Sequence, residues 1–252
     1  MKNLIFLFVL IFITFSLITS CGSDDDDAAT TATAHKTLSD CTDDETVSGT
    51  IPGIWGLGVS GTYSMSWYGA TPSGGCIDNS SALGSSGLNI STYDTSIQSL
   101  KNQVTITSNS SLTSTIKLYT DSACSNMVAF MSQSKSNITA GDNITISGPP
   151  SGYPGYGTKY TNTQSRFCIY GGTTGTNNLW KAMTSSSSWT LTEGELLDTA
   201  GGSGTLHGLF TTIDNVTGST ATWLYSPGWD ASSALDNHSS SGDMYYSDNV
   251  SN

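Results

Sequence analysis

The stretch "QVTITSNSSLTSTIKLYT", residues 103–120, decides the fold class. Val104 and Ile106 alternate with Gln103, Thr105 and Thr107; further on, Ile116 and Leu118 alternate with Thr115, Lys117 and Tyr119. Alternation with period two puts apolar side chains on one face and polar ones on the other, the pattern of half-buried antiparallel strands. The polar "SNSS" between the two runs is where the chain turns. Upstream, "GTYSMSWYG" (61–69) repeats the alternation, with Tyr63, Met65 and Trp67 on one face and Ser64, Ser66 and Tyr68 on the other.

Working outward, runs of strand length are expected at 127–131, 143–147, 158–170, 178–183, 187–192, 205–213 and 220–225. "GPPSGYPGYG" (148–157) lies between two of them, and its Gly and Pro set a turn. One short helix is expected from Thr92 to Leu100, behind Ser91 as N-cap, because Tyr93, Ile97 and Leu100 fall on one helical face. Gly, Ser and Thr are dense throughout, which disfavours long helices. With few large aliphatic residues outside the amino terminus, Trp55, Trp67, Trp180, Trp189, Trp223, Trp229 and the tyrosines are expected to supply much of the core. The resulting expectation is an all-β chain: a single antiparallel β-barrel or β-sandwich of about ten short strands over residues 38–225. Residues 226–252 form a polar tail, read as a loose terminus or a final edge strand.

The amino terminus carries its own message. "LITSCGSDDDDAATTATA" (17–34) joins the end of an apolar run to a cysteine, four aspartates and a small polar spacer. Lys2 and the largely apolar run from Leu4 to Ile18 read as an export signal, too short for a spanning helix of about 20 residues. Leu17-Ile18-Thr19-Ser20-Cys21 resembles the lipobox of bacterial lipoproteins. That resemblance implies a signal peptide of residues 1–20, a lipid on Cys21 and an anchored mature protein. Two acyl chains give the two attachments that stable anchoring needs. Residues 21–37 then form an acidic, disordered tether. "CGSDDDD" is also similar to acidic surface-export signals of Bacteroidetes lipoproteins, which implies an outer-membrane or cell-surface location.

Cys41, Cys76, Cys124 and Cys168 remain after Cys21. An even number in an exported chain implies two disulfides, and no CxxC or CxxCH spacing points to zinc or haem. Three connectivities are open; sequence does not choose among them, and the pairing carried forward is Cys76 with Cys124 and Cys41 with Cys168. "SWYGATPSGGC", "KLYTDSACSNMVAF" and "GTLHGLFTTIDN" are together similar to small lipocalin-like bacterial lipoproteins. That loose likeness implies a barrel and carries no site residues.

Charge excludes some functions. The chain has 8 Lys plus Arg against 20 Asp plus Glu, a net charge of −12, so nucleic acid and anionic lipid surfaces are poor partners. Of the histidines, His35 lies in the tether, His238 in the tail, and His207 alone on an expected strand, which gives no general base its partners. "GGSGT" (201–205) fails as a nucleophile elbow at its fifth position. Glu193 and Glu195 have the residue type of a glycosidase pair, but Gly194 between them favours a turn. "DCTDDE" (40–45) and "DNHSSSGD" (236–243) offer hard oxygen ligands without EF-hand spacing, and no metal or cofactor is expected. Eight Asn-x-Ser/Thr sequons occur, which an exported bacterial chain leaves unused. Tyr153, Tyr156 and Tyr160, around the Pro-Gly turn, and Trp229 are the candidate ligand contacts. The reading is a lipid-anchored cell-envelope protein acting as a non-enzymatic binding or adhesion module. The alternatives are a lipocalin-like carrier of a small apolar ligand and a carbohydrate-active enzyme using Glu193 and Glu195.

Overall fold

The structure is a computed structural model and describes residues 33–35, 41, 46–52, 58–65, 75–78, 90–148, 155–184, 189–213, 223–226, 235–236 and 243–247. Its strands are β1 (Thr33–His35), β2 (Ile51–Pro52), β3 (Gly58–Val59), β4 (Thr62–Met65), β5 (Ile77–Asp78), β6 (Ser99–Ser108), β7 (Ser111–Tyr119), β8 (Met127–Thr145), β9 (Tyr156–Gly171), β10 (Leu196–Ala200), β11 (Leu206–Ile213), β12 (Trp223–Ser226) and β13 (Asp243–Ser247). Two helices, α1 (Ile90–Tyr93) and α2 (Thr174–Met183), interrupt them. None among the described residues is long and apolar enough to cross a membrane.

The chain is all-β and antiparallel. β4, β6, β7, β8 and β9 pair in that order, and the far edge of β9 is shared: residues 158–162 pair with β11 and residues 166–170 with β10. Irregularities in the β8–β9 register at Ser134/Lys135, Ser136/Thr139 and Ala140/Asn143 bend this long ribbon. A bent β9 is what lets one strand serve two neighbours. These seven strands do not close on themselves. β12 pairs with β11, and β13 pairs with both β12 and β4, across the interval between the two ends. β5 adds to β6, β1 adds to β10, and β2 and β3 form a separate two-stranded sheet.

Register fixes which side chains share a face. Leu100, Leu118, Ala129 and Gly171 form one cross-strand row, and Asn102, Ile116, Met131 and Ile169 form the next. This core face is covered by α2 through Leu179, Trp180 and Met183, and by Ile90 and Ile97 before β6. α2 starts where it does because Thr173 caps it: its hydroxyl accepts from the Thr176 backbone while the Thr176 hydroxyl accepts from the Thr173 backbone. The Trp180 indole N–H is satisfied by the Tyr170 carbonyl at 2.9 Å. On the opposite face Phe130, Cys168 and Leu196 pack with Cys41.

Several expectations are corrected. Residues 178–183 are helix, because the apolar positions 179, 180 and 183 fit one helical stripe behind the Thr173 cap. The helix expected over 92–100 is a single turn, since Asp94 takes both the N–H and the hydroxyl of Ser96, and the chain leaves for β6 at Ser99. The described residues 189–192 are not strand, and the strand lies later, in β10. Expected runs 127–131 and 143–147 are two parts of the one strand β8. The sheet also reaches past both expected boundaries, with β1 inside the segment read as tether and β13 inside the segment read as tail. β13 is paired on both edges and is therefore no edge strand. Among the described residues, Trp180, Tyr63, Tyr119 and Tyr160 are buried alongside the Ile and Leu of the core, while the burial of Trp55, Trp67, Trp223 and Trp229 lies outside the described residues.

Candidate ligand site on the core face

The core face holds two separate apolar clusters. One is the α2-covered cluster, and the other joins Ile51, Tyr63, Val104, Ile106, Ile138, Tyr160 and Phe210. Where they meet, polar side chains enter the rows beside apolar members of both clusters. Val104, Ser114, Gln133 and Phe167 form one row, and Ile106, Leu112, Lys135 and Gln164 the next. Asn162, two residues before Gln164 on β9, continues the band toward Leu206 of β11.

This band is buried in part, with Ser114, Gln133 and Gln164 half-buried. Lys135 is 7% exposed and Asn162 1%, though lysine is among the residues most rarely found inside. The side-chain nitrogen of Gln164 is buried and donates no hydrogen bond within the structure. An amide donor without an acceptor costs about 1–3 kcal/mol. A plain core would fill these positions with apolar residues. Two buried oxygens also lack a hydrogen-bond donor: Oδ1 of Asn162, in this same band, and Oδ1 of Asn177, which lies 2.2 Å from where a Cβ on Gly171 would be and belongs to the close seating of α2 on β9.

The sequence candidates divide as follows. Tyr160 is interior: it is 6% exposed, its ring lies 5.4 Å from that of Phe210, and it covers Gly208, its register partner. It is therefore withdrawn as a surface contact and stands beside the polar band instead. Tyr156 opens β9 half-buried, and its carbonyl accepts from the Thr211 hydroxyl at 2.7 Å. Tyr153, Trp229, Cys21 and the acidic run after it lie outside the described residues, as do most of both acidic loops. Glu193 and Glu195 are exposed on a turn, with Gly194 at φ +77°, and Glu193 accepts from the Thr174 hydroxyl at 2.8 Å. That is the turn role, at the foot of α2.

The structure joins Cys41 to Cys168 and Cys76 to Cys124. Cys41, Cys168 and Asp198 bring their ligand atoms within 4.8 Å of one another. The two sulfurs are bonded together, and Asp198 is gripped by Arg166, Nε to Oδ1 at 3.0 Å and Nη2 to Oδ2 at 3.2 Å. This is a clasp rather than a metal centre: it ties the only arginine of the chain to β10 beside the disulfide.

Two carboxylates are tuned by their loops. Partial burial pushes Asp94 upward, but hydrogen bonds from the Ser96 and Thr173 side chains and the Ser96 backbone outweigh it, leaving its pKa below the ordinary 3.8. Asp121, in the "YTDSAC" motif, accepts the backbone N–H of Asn126 first, then those of Ser125 and Ala123, and is likewise lowered. The loop so formed holds Cys124 at φ +55°, from which it reaches Cys76. The motif thus has a structural task.

No family model matches the chain, and no curated protein does.

The sequence reading passed over Gln133, Lys135, Asn162 and Gln164. A signal was there: in "MSQSKSN" the β7–β8 and β8–β9 register sets Met131, Gln133 and Lys135 in successive core-face rows. It is masked because both faces of that segment are polar in sequence.

Proposed function

We propose that the chain is a lipid-anchored, non-enzymatic binding module of the bacterial cell envelope, and that it holds a small amphiphilic ligand on the core face of its sheet. The observation that carries the reading is the set of partly buried polar side chains in the rows where the two apolar clusters meet, with the Gln164 amide nitrogen lacking an acceptor. Mostly apolar walls with a few placed polar groups are the make-up of small-molecule sites. The anchor rests on the lipobox-like residues 17–21. The carbohydrate-enzyme reading has no such support, since Glu193 and Glu195 share an exposed turn.

The test is the mass of the protein extracted from its own membranes, native and then denatured. A denatured mass of residues 21–252 plus acyl chains, less four hydrogens for the two disulfides, together with a larger native mass, is the expected result. Identical native and denatured masses would remove the binding function, and an unacylated chain would remove the anchor.

A further inference from the structure

Three metal-ligating side chains meet on the face of the sheet opposite α2. Cys168 and Asp198 are direct register partners on β9 and β10, and Cys41 is bonded to Cys168. All three are buried, both cysteines fully and Asp198 to 8% exposed. In the oxidised chain they form a clasp, with Cys168 Sγ 3.4 Å from Asp198 Oδ1. A bonded disulfide has no proton to give a carboxylate, so the clasp gains no hydrogen bond from this approach. The spacing is that of one edge of a tetrahedral zinc site: with Zn–S of about 2.3 Å and Zn–O of about 2.0 Å, sulfur and oxygen sit about 3.5 Å apart. Arg166 adds the outer partner that ligating carboxylates have. Its two hydrogen bonds, one to each Asp198 oxygen, leave both oxygens a lone pair.

We infer that Cys41, Cys168 and Asp198 hold a zinc ion when the disulfide is reduced, so that the segment carrying Cys41 stays fastened to β9 in either redox state. The reductant is a dithiol: it supplies two electrons and two protons, the Cys41–Cys168 bond breaks, and the dithiol leaves as its own disulfide. On zinc binding both thiol protons pass to solvent, because thiolates are the ligands. Two thiolates and a carboxylate around one dication leave a single negative charge, which the Arg166 guanidinium balances. Buried charges are tolerated when paired or coordinated in this way. The Cα atoms of Cys41 and Cys168 are 6.4 Å apart, so side-chain rotation brings the sulfurs to the ~3.8 Å of a tetrahedral edge. Three protein ligands leave the fourth position to water. The site shares no residue with the polar band of the core face.

Native mass spectrometry of the full chain in a non-ionic detergent, given zinc chloride and dialysed, before and after reduction by a phosphine, tests this. One zinc per reduced chain and none per oxidised chain is expected. Arg166→Gln should weaken zinc binding by about 10–100-fold, as loss of an outer partner does, and Asp198→Asn should weaken it at least as much. Alkylation of the reduced wild type gives a reading that depends on no variant folding: zinc should protect Cys41 and Cys168 from iodoacetamide and leave Cys76 and Cys124 reactive, as read from the peptide masses. If reduction alone abolishes the near-ultraviolet circular dichroism, zinc should restore it. A reduced chain that holds no zinc would overturn the site. So would equal zinc on the oxidised chain, undiminished zinc in Asp198→Asn, or protection confined to Cys76 and Cys124.

Discussion

At the scale of single residues, the fold depends on a few close fits. Gly208 faces Tyr160 across the β9–β11 pair, and a Cβ there would meet the Tyr160 ring at 2.2 Å. Gly208→Ala should therefore displace that ring and cost about 1–3 kcal/mol, as overpacking does, read as a fall in the urea midpoint. Tyr160→Phe keeps the ring and should be far milder. Asp94 gives a pH-dependent case. Its folded-state pKa is lowered, so its contribution is fully present above the unfolded value and disappears as pH falls through the lower folded one. Asp94→Ala should lose about 1 kcal/mol at neutral pH, a typical hydrogen-bond contribution. The gap from wild type should narrow in melts taken below the ordinary 3.8. A gap that widened in acid would reverse the assigned sign.

At the scale of elements, α2 is the piece that completes the core. Trp180 is fully buried, and Leu179 and Met183 flank it. Trp180→Ala should cost about 3–5 kcal/mol, whereas Thr173→Ala, which removes only the cap, should cost about 1 kcal/mol. A ratio near unity in chemical denaturation would mean that α2 is not docked by its apolar stripe. This element also marks the limit of what sequence tells. The β6–β7 ribbon was legible because Val104, Ile106, Ile116 and Leu118 keep strict alternation with one buried face. α2 was not, because its window, "NLWKAM", is too short to separate a period of two from one of 3.6 unless the Thr173 and Thr176 cap is read first. β10 escaped for another reason: Leu196, Leu197 and Asp198 alternate only once the Arg166 partner of Asp198 is known. The polar band was illegible for the same cause, since Lys135 and Gln164 are 29 residues apart and meet only through the β8–β9 register.

At the scale of the whole molecule, two covalent ties hold long segments to the sheet. Cys41–Cys168 spans 127 residues and Cys76–Cys124 spans 48, and loop closure of that length contributes about 4–5 kcal/mol in the chain-entropy account. Replacing Cys41 and Cys168 together by Ser should lower stability by an amount of that order, measurable by calorimetry, and loosen the β9–β10 side before β6–β7. Hydrogen exchange of the same variant should show protection lost first at 196–200. The claim on which everything else depends is that the polar band of the core face serves a ligand. A crystal structure of the protein purified from its own membranes would test it most directly. The expected result is non-protein density on the core face, with a polar atom within hydrogen-bond reach of Gln164 Nε2. Protein side chains filling the band, with an acceptor from the chain itself on Gln164, would contradict it.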